Sequence, residues 1–359
     1  MPGQIVQIVP QLAPSIGGVA DYASLLAQRL SDDYRIDSSF LVGDPAWQGP
    51  ARLDQFSVDR IDRQQAHEIE RRLIKLGADL VLLHYVGYGY QKRGCPVWLV
   101  NGLIRWKRKC PRRRLVVMFH ELFASGRPWQ SSFWTSPLQK SLAKSLALLS
   151  DHNVTNRLQS RRTLERLTGR HENDFSVVPV FSNVGELAAA NDWISRPPIA
   201  VIFAGGRWLG RLAEHFRSMM ADCCQRFGIR KIVCIGSSTG IAPTKFPIPI
   251  EEHGYLDSRQ SCQLIKACRF GVMDYFPGYL GKSTVFAAYA ALGCVPLLFY
   301  ENGSELDGCV TGKNCLVMEK LPNQITDDRL QQVADNAMAW YRSHDLAHTA
   351  RLYAETLRS

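Results

Sequence analysis

Four short segments of this chain hold the side chains and backbone needed to grip an anion and move a proton. In Met118-Phe119-His120-Glu121-Leu122 an imidazole and a carboxyl stand side by side after an apolar run, a pairing that can assist proton movement from a hydroxyl. His84 closes an earlier apolar run and reads equally well as a hydrogen-bonding histidine of the interior. Gly17 and Gly18 lie between a β-branched run and a helical pattern. Glycines there let the backbone approach a ligand, and the helix start behind them offers unpaired N–H groups and a positive dipole end to a diphosphate. A tight strand-to-helix turn explains the same two glycines. Further on, Phe203-Ala204-Gly205-Gly206-Arg207 is followed one helical turn later by Arg211, placing two cations on one face. Cations are unfavourable at a helix N-terminus unless an anion is bound, and two could neutralise a departing diphosphate. Lys282, Ser283 and Thr284, ahead of an alanine-rich segment, make either a phosphate site or a capped helix start.

Several better-known motifs are excluded by spacing. Gly281-Lys282-Ser283 suggests a P-loop, but Phe276 stands where its first glycine belongs, which removes an ATPase reading. Gly87-Tyr88-Gly89 is followed by Lys92 where a dinucleotide fingerprint needs its third glycine. The ten cysteines and nine histidines contain neither a C-x-x-C nor an H-E-x-x-H, so spacing argues for no metal site.

The elements that must position these residues alternate. Ile5 to Val9, Ser38 to Val42, Leu80 to His84, Leu115 to Phe119, Val154-Thr155 and Ser176 to Pro179 read as strands. Val19 to Leu30, Asp62 to Leu76, Val97 to Trp106 and Arg157 to Leu167 read as helices. Polar residues and a double proline around Asn191 to Pro198 read as a linker. Strands at Ile199 to Phe203, Lys231 to Ile235, Phe270 to Met273 and Val295 to Phe299 then alternate with helices at Leu209 to Phe227, Asp257 to Cys268, Val285 to Leu292 and Asp327 to Tyr341. The expected fold is α/β, with two Rossmann-like doubly wound domains at 1–190 and 191–345 and a last helix, 346–359, packing back toward the first domain. In open parallel sheets ligands bind at the carboxyl ends of the strands, so the expected site is the cleft between the domains.

Taken in order, Gly-Gly-Val, Phe-His-Glu-Leu, Val178-Pro179-Val180-Phe181-Ser182-Asn183, Gly-Gly-Arg and the alanine-rich helix running into Val295-Pro296 resemble the group 1 (family 4) glycosyltransferases over nearly the whole chain. The resemblance implies a GT-B fold, a nucleotide-sugar donor, transfer with retention and no essential metal or other cofactor. It gives Gly17 and Gly18 to the donor phosphates, His120 to the transferred sugar, and Arg207, with Arg211 as an approximate second, to the diphosphate. Aligning Pro296 with the family's Gly-x-Pro puts Gly281 and Tyr289 where its two donor-holding glutamates belong. That departure keeps a second reading open, a catalytically silent GT-B module binding a glycan or partner enzyme.

Composition bounds the rest. The chain has 359 residues, more than a single core usually holds, with 46% hydrophobic and 21% charged residues and no low-complexity tract. The start lacks the basic and apolar stretches of a secretory signal, and no uncharged run reaches the roughly 20 residues of a membrane span, so a cytoplasmic protein with unpaired thiols is expected. The net charge of +10 is concentrated: Arg105 to Arg114 carries seven basic side chains in ten residues. Three readings stand for this cluster: a solvated helix end, a contact with an anionic membrane that would make the protein peripheral, or, most weakly, nucleic acid.

Overall fold

The computed structural model describes residues 3–124, 126–127, 129–188, 192–204, 214–237, 248–275, 277–299, 307–321 and 324–358. The chain divides into two compact units, Met1–Pro179 together with Leu346–Ser359, and Val180–Asp345.

The first unit is built on an eight-stranded sheet in the order β3-β4-β2-β1-β5-β6-β7-β8. Its strands are β1 (Gln4–Val9), β2 (Asp37–Val42), β3 (Arg52–Leu53), β4 (Phe56–Arg60), β5 (Leu80–Tyr85), β6 (Arg114–Phe119), β7 (His152–Thr155) and β8 (Phe175–Val177). All pairings are parallel except the short β3–β4 hairpin. The helices are α1 (Gly18–Tyr34), α2 (Ala66–Lys75), the single turn α3 (Gly87–Tyr90), α4 (Val97–Arg108), α5 (Ser131–Leu149) and α6 (Leu158–Thr168). β5, LVLLHY, is buried at every residue, as a parallel strand covered on both faces must be. One face packs on α2, α4 and α5 through Ile69, Leu73, Trp98, Leu103 and Leu146, while Ala20, Ala23 and Ala27 of α1 meet Val9, Phe40 and Val42 on the other.

The last helix, α11 (Leu346–Arg358), belongs to this first unit and packs on α1. The Arg114 guanidinium donates to the carbonyls of Thr356 and Leu357 at 2.9 Å, satisfying acceptors that a helix end leaves unpaired. Beneath α2, Glu68 is bonded by Arg71 and Arg72, and Arg72 also reaches Asp59 and Asp62. Burial alone would raise the Glu68 carboxyl, but the hydrogen bonds from the two guanidiniums outweigh it and hold the group at about 2.

The second unit is a six-stranded, wholly parallel sheet, ordered β11-β10-β9-β12-β13-β14. Its strands are β9 (Ile199–Ala204), β10 (Lys231–Gly236), β11 (Ile250–Glu252), β12 (Phe270–Met273), β13 (Val295–Leu298) and β14 (Leu316–Val317). Its helices are α7 (Glu214–Arg226), α8 (Ser258–Lys266), α9 (Thr284–Ala291) and α10 (Asp327–Arg342). The segment expected to link two domains is part of this unit's core. Trp193 is fully buried, its indole N–H donates to the Arg269 carbonyl at 2.6 Å, and the Arg269 guanidinium lies 4.7 Å over its ring. The first unit ends earlier, at Pro179.

Candidate functional site

A parallel strand alternates its side chains between two faces, and the face of the first sheet that meets α1 should be apolar throughout. It is not. Ser38 on β2, Gln7 on β1 and His84 on β5 are buried, and they form a polar row across three adjacent strands that ends on His120, just past β6. The Gln7 amide N–H donates to Ser38 Oγ at 2.8 Å, Gln7 Oε1 lies 2.8 Å from His84 Nε2, and His84 Nδ1 lies 3.2 Å from His120 Nε2. Burial first, and the neighbouring His120 second, hold the His84 imidazole well below its ordinary range, so it is neutral at pH 7.

α1 closes over this row. The Tyr22 ring stands edge-on to His120 at 5.1 Å and to His84 at 5.9 Å. Its hydroxyl donates to the Tyr353 hydroxyl of α11 at 3.4 Å, with both rings buried. The His120 carbonyl accepts from the Asn156 side chain at 3.3 Å, and its N–H donates to the Tyr85 carbonyl at 3.0 Å, so the residue is fixed by its backbone as well as its ring. His120 is 8% exposed at the strand-end edge, whereas the side chain of Glu121 faces solvent.

Gly17 and Gly18 begin α1 at the carboxyl end of β1. Gly17 is the N-cap, in an extended conformation with no side-chain cap, and a Cβ added there would meet nothing within 4 Å. Neither packing nor a left-handed φ demands glycine at 17; the space beside it is open. Gly17, Gly18, His84 and His120 therefore share one edge of the first sheet.

In the second unit, Lys282, Ser283 and Thr284 stand at the start of α9, after the carboxyl end of β12. Ser283 is the N-cap and accepts from the Phe286 amide at 3.2 Å, so its hydroxyl serves the helix, and the amides of Thr284 and Val285 face the helix end. The Lys282 ammonium sits 4.9 Å over the Tyr279 ring. Arg207 and Arg211 lie outside the described residues.

The two positions where the resembled family carries glutamates are both interior. Gly281 is buried, and its carbonyl accepts from the Val180 amide at 2.8 Å. Tyr289 is fully buried: its hydroxyl accepts from the Phe203 amide at 2.8 Å and donates to the Val272 carbonyl at 3.1 Å, tying β9 to β12. Its ring lies against Gly271, where a Cβ would come within 2.3 Å of it. Tyr289 thus spends its polar atom inside the sheet, and a carboxylate at this position would be buried among apolar groups.

Three of the seven basic side chains between Arg105 and Arg114 are structural. Lys107 bonds Asp151 and the Leu149 carbonyl, Arg113 donates to the Trp106 carbonyl and lies over its ring, and Arg114 holds α11. Lys109 pairs with Glu70, and Arg105, Arg108 and Arg112 are exposed. All ten cysteines are unpaired. Among the described residues no cluster of three His, Cys, Asp or Glu side chains could hold a metal ion, and no helix is long and apolar enough to cross a membrane.

Gln7, Ser38, Tyr22 and Tyr353 were not apparent as site residues from the sequence. The only signal was Gln7 itself, a single polar residue inside the apolar run of β1.

No family model matches the chain, and no curated protein matches it. Solved structures do. A Listeria monocytogenes protein assigned as a UDP-N-acetylglucosamine 2-epimerase is 12% identical with a TM-score of 0.64, over 100% of this chain and 96% of its own. AviGT4, a glycosyltransferase involved in avilamycin A biosynthesis, is 15% identical at 0.54, over 99% and 97%. An alpha-glucosyltransferase in complex with UDP-glucose and DNA containing an abasic site is 10% identical at 0.57, over 99% of each chain. At these identities the likeness establishes architecture alone: the chain has the two-domain α/β GT-B fold.

Proposed function

We propose that this protein is a GT-B enzyme acting on a nucleotide sugar, and that it transfers the sugar to a glycan, lipid-linked or small-molecule acceptor with the retention that the family 4 resemblance implies. The observation that carries the reading is the polar row delivering His120 to the carboxyl edge of the first sheet, beside the open helix start at Gly17 and Gly18. Full-length likeness to structures described with UDP-sugars supports the choice of ligand.

Breaking a sugar–phosphate bond leaves an oxocarbenium-like centre and a charged leaving group, so the protein's task is positioning and electrostatic stabilisation. In this reading Gly17 and Gly18 meet the donor phosphates. Lys282, the α9 amides and the arginines at 207 and 211 offset the charge on the departing diphosphate, whose oxygen takes the acceptor proton. His120 holds a hydroxyl of the transferred sugar, with Glu121 assisting proton movement at the same strand end.

A second reading, a 2-epimerase, is favoured by the likeness to the Listeria protein. Incubation with UDP-glucose and UDP-N-acetylglucosamine, followed by product analysis, separates the two. Transfer releases UDP and depends on an acceptor; epimerisation gives the C2 epimer with UDP still attached and needs none. With a mixture of glycan and lipid-linked acceptors present, we expect release of the nucleoside diphosphate, lost in Arg207→Ala. Formation of an equilibrium mixture of C2 epimers without release would overturn the transferase reading.

A further inference from the structure

A surface helix normally turns its apolar stripe to the core and its charged and polar side chains to water. α5 departs from this. Its inner face buries Gln139, Leu142, Ala143 and Leu146, but its first two turns also expose Phe133, Trp134 and Leu138. Trp134 is 73% exposed, and Trp129, just before the helix, is 75% exposed. No carboxyl side chain stands between Glu121 and Asp151, whereas Arg127, Lys140 and Lys144 are all exposed there. The cations flank the rings: the Arg127 guanidinium lies 5.5 Å over Trp129 and the Lys140 ammonium 5.3 Å over Phe123. The patch continues onto the turn after β5. Gln139 ties the two segments, its side chain meeting the Tyr88 hydroxyl at 3.2 Å and the Arg93 carbonyl at 2.7 Å, and Tyr88, Lys92 and Arg93 are exposed as well.

We propose that this edge of the first unit docks on an anionic lipid bilayer, with Trp129, Phe133, Trp134 and Leu138 entering the headgroup region and Arg127, Lys140 and Lys144 meeting lipid phosphates. Indole rings favour the membrane–water interface, and helices that lie in it combine Trp, Phe and Leu with Lys and Arg. A patch with cations and no carboxylate complements a negative leaflet. It does not complement itself: in a two-fold contact between copies, cations would face cations with no carboxylate to answer them. Its place is also informative. Helices that follow parallel strands start at the carboxyl ends of those strands, so the patch shares the edge that carries Gly17, Gly18 and His120. The exposed Arg105, Arg108 and Arg112 lie where α4 ends and β6 begins, at the opposite edge, about 20 Å away along the strands. The docking rests on the patch alone; its consequence, that the acceptor is lipid-linked, rests on the transferase reading proposed above.

The test is flotation of the full-length protein, without nucleotide sugar, on phosphatidylcholine vesicles with and without phosphatidylglycerol. Phosphatidylglycerol should strengthen binding, and Trp129→Ser/Trp134→Ser should weaken it about tenfold or more with the melting temperature unchanged. Bromine-labelled lipid should quench tryptophan emission of the native protein and not of that double variant. Arg105→Gln/Arg108→Gln/Arg112→Gln should float as the native protein does. Flotation that survives the tryptophan changes, ignores the anionic lipid, or is lost with the three arginines would overturn the proposal. So would a native protein that does not float, whether it stays monomeric or self-associates through the two tryptophans. Because no donor is present, vesicle binding by a protein that no nucleotide sugar stabilises would leave the docking intact and remove the proposed function.

Discussion

The two sheets spend their buried polarity in opposite ways. In the first, polar side chains from β2, β1 and β5 are handed from strand to strand until they reach His120 at the edge. In the second, Tyr289 turns inward and closes on the backbones of β9 and β12. One arrangement delivers a hydrogen-bonding group to where ligands of open α/β sheets bind; the other satisfies the sheet itself. Burial of a polar group is thus no guide to its role until its partners are followed: backbone partners within one layer indicate structure, and a side-chain chain ending at a strand terminus indicates a site.

Substitutions can break that contrast. The largest effect is expected for Tyr289→Glu, which would restore a family-like carboxyl to a fully buried position. Leaving a charge or an unpaired acid among apolar groups should cost about 4 kcal/mol or more, read by denaturant unfolding. A stable Tyr289→Glu with improved nucleotide-sugar binding would show that the position faces a ligand after all.

The first-sheet row should behave differently. Gln7→Leu alone removes the 2.8 Å partner of the buried His84 Nε2 and should cost about 1–3 kcal/mol. The Gln7→Leu/His84→Leu double variant removes both partners and should cost less than the sum of the two single changes, with activity reduced about 10²-fold or more in each. Strict additivity in unfolding, with turnover intact, would make the row an ordinary part of the core.

A smaller, pH-dependent effect checks that these changes are not mistaken for general weakening of the first unit. Glu68 is held at about 2 in the folded state against 4.5 for an ordinary glutamate, so its contribution is complete above about pH 4.5 and is lost as pH falls toward 2. Glu68→Gln should destabilise by about 2 kcal/mol at pH 7, and the gap to the native protein should close between pH 4.5 and 2. A gap constant over that range would show that the carboxyl charge contributes nothing.

Much of the fold is legible because apolar runs and amphipathic segments alternate strongly: β1, β2, β5, β6, β9, β10, β12 and β13 all stand where short β-branched stretches predict them. α5 is not, because Pro137 and an aromatic, serine-rich first turn mask its helical period. β3, β4 and β11 are too short, and in part too polar, to register. The site is half legible. His84 and His120 can be placed at strand ends by pattern alone, but Gln7 meets partners 31 and 77 residues away, contacts that only the strand order β2-β1-β5 creates. Trp193 shows the converse, since a segment that looks like a linker is pinned into the second core by one indole and one arginine.

The central claim, that this GT-B chain takes a nucleotide sugar, is tested most directly by thermal stabilisation with a panel of nucleoside diphosphates and their sugar conjugates, since a ligand that binds only the native state raises the melting temperature. The account predicts a rise with one base, weakened in Lys282→Ala and abolished in Arg207→Ala; no rise with any member of the panel would contradict it and leave a silent GT-B module in its place.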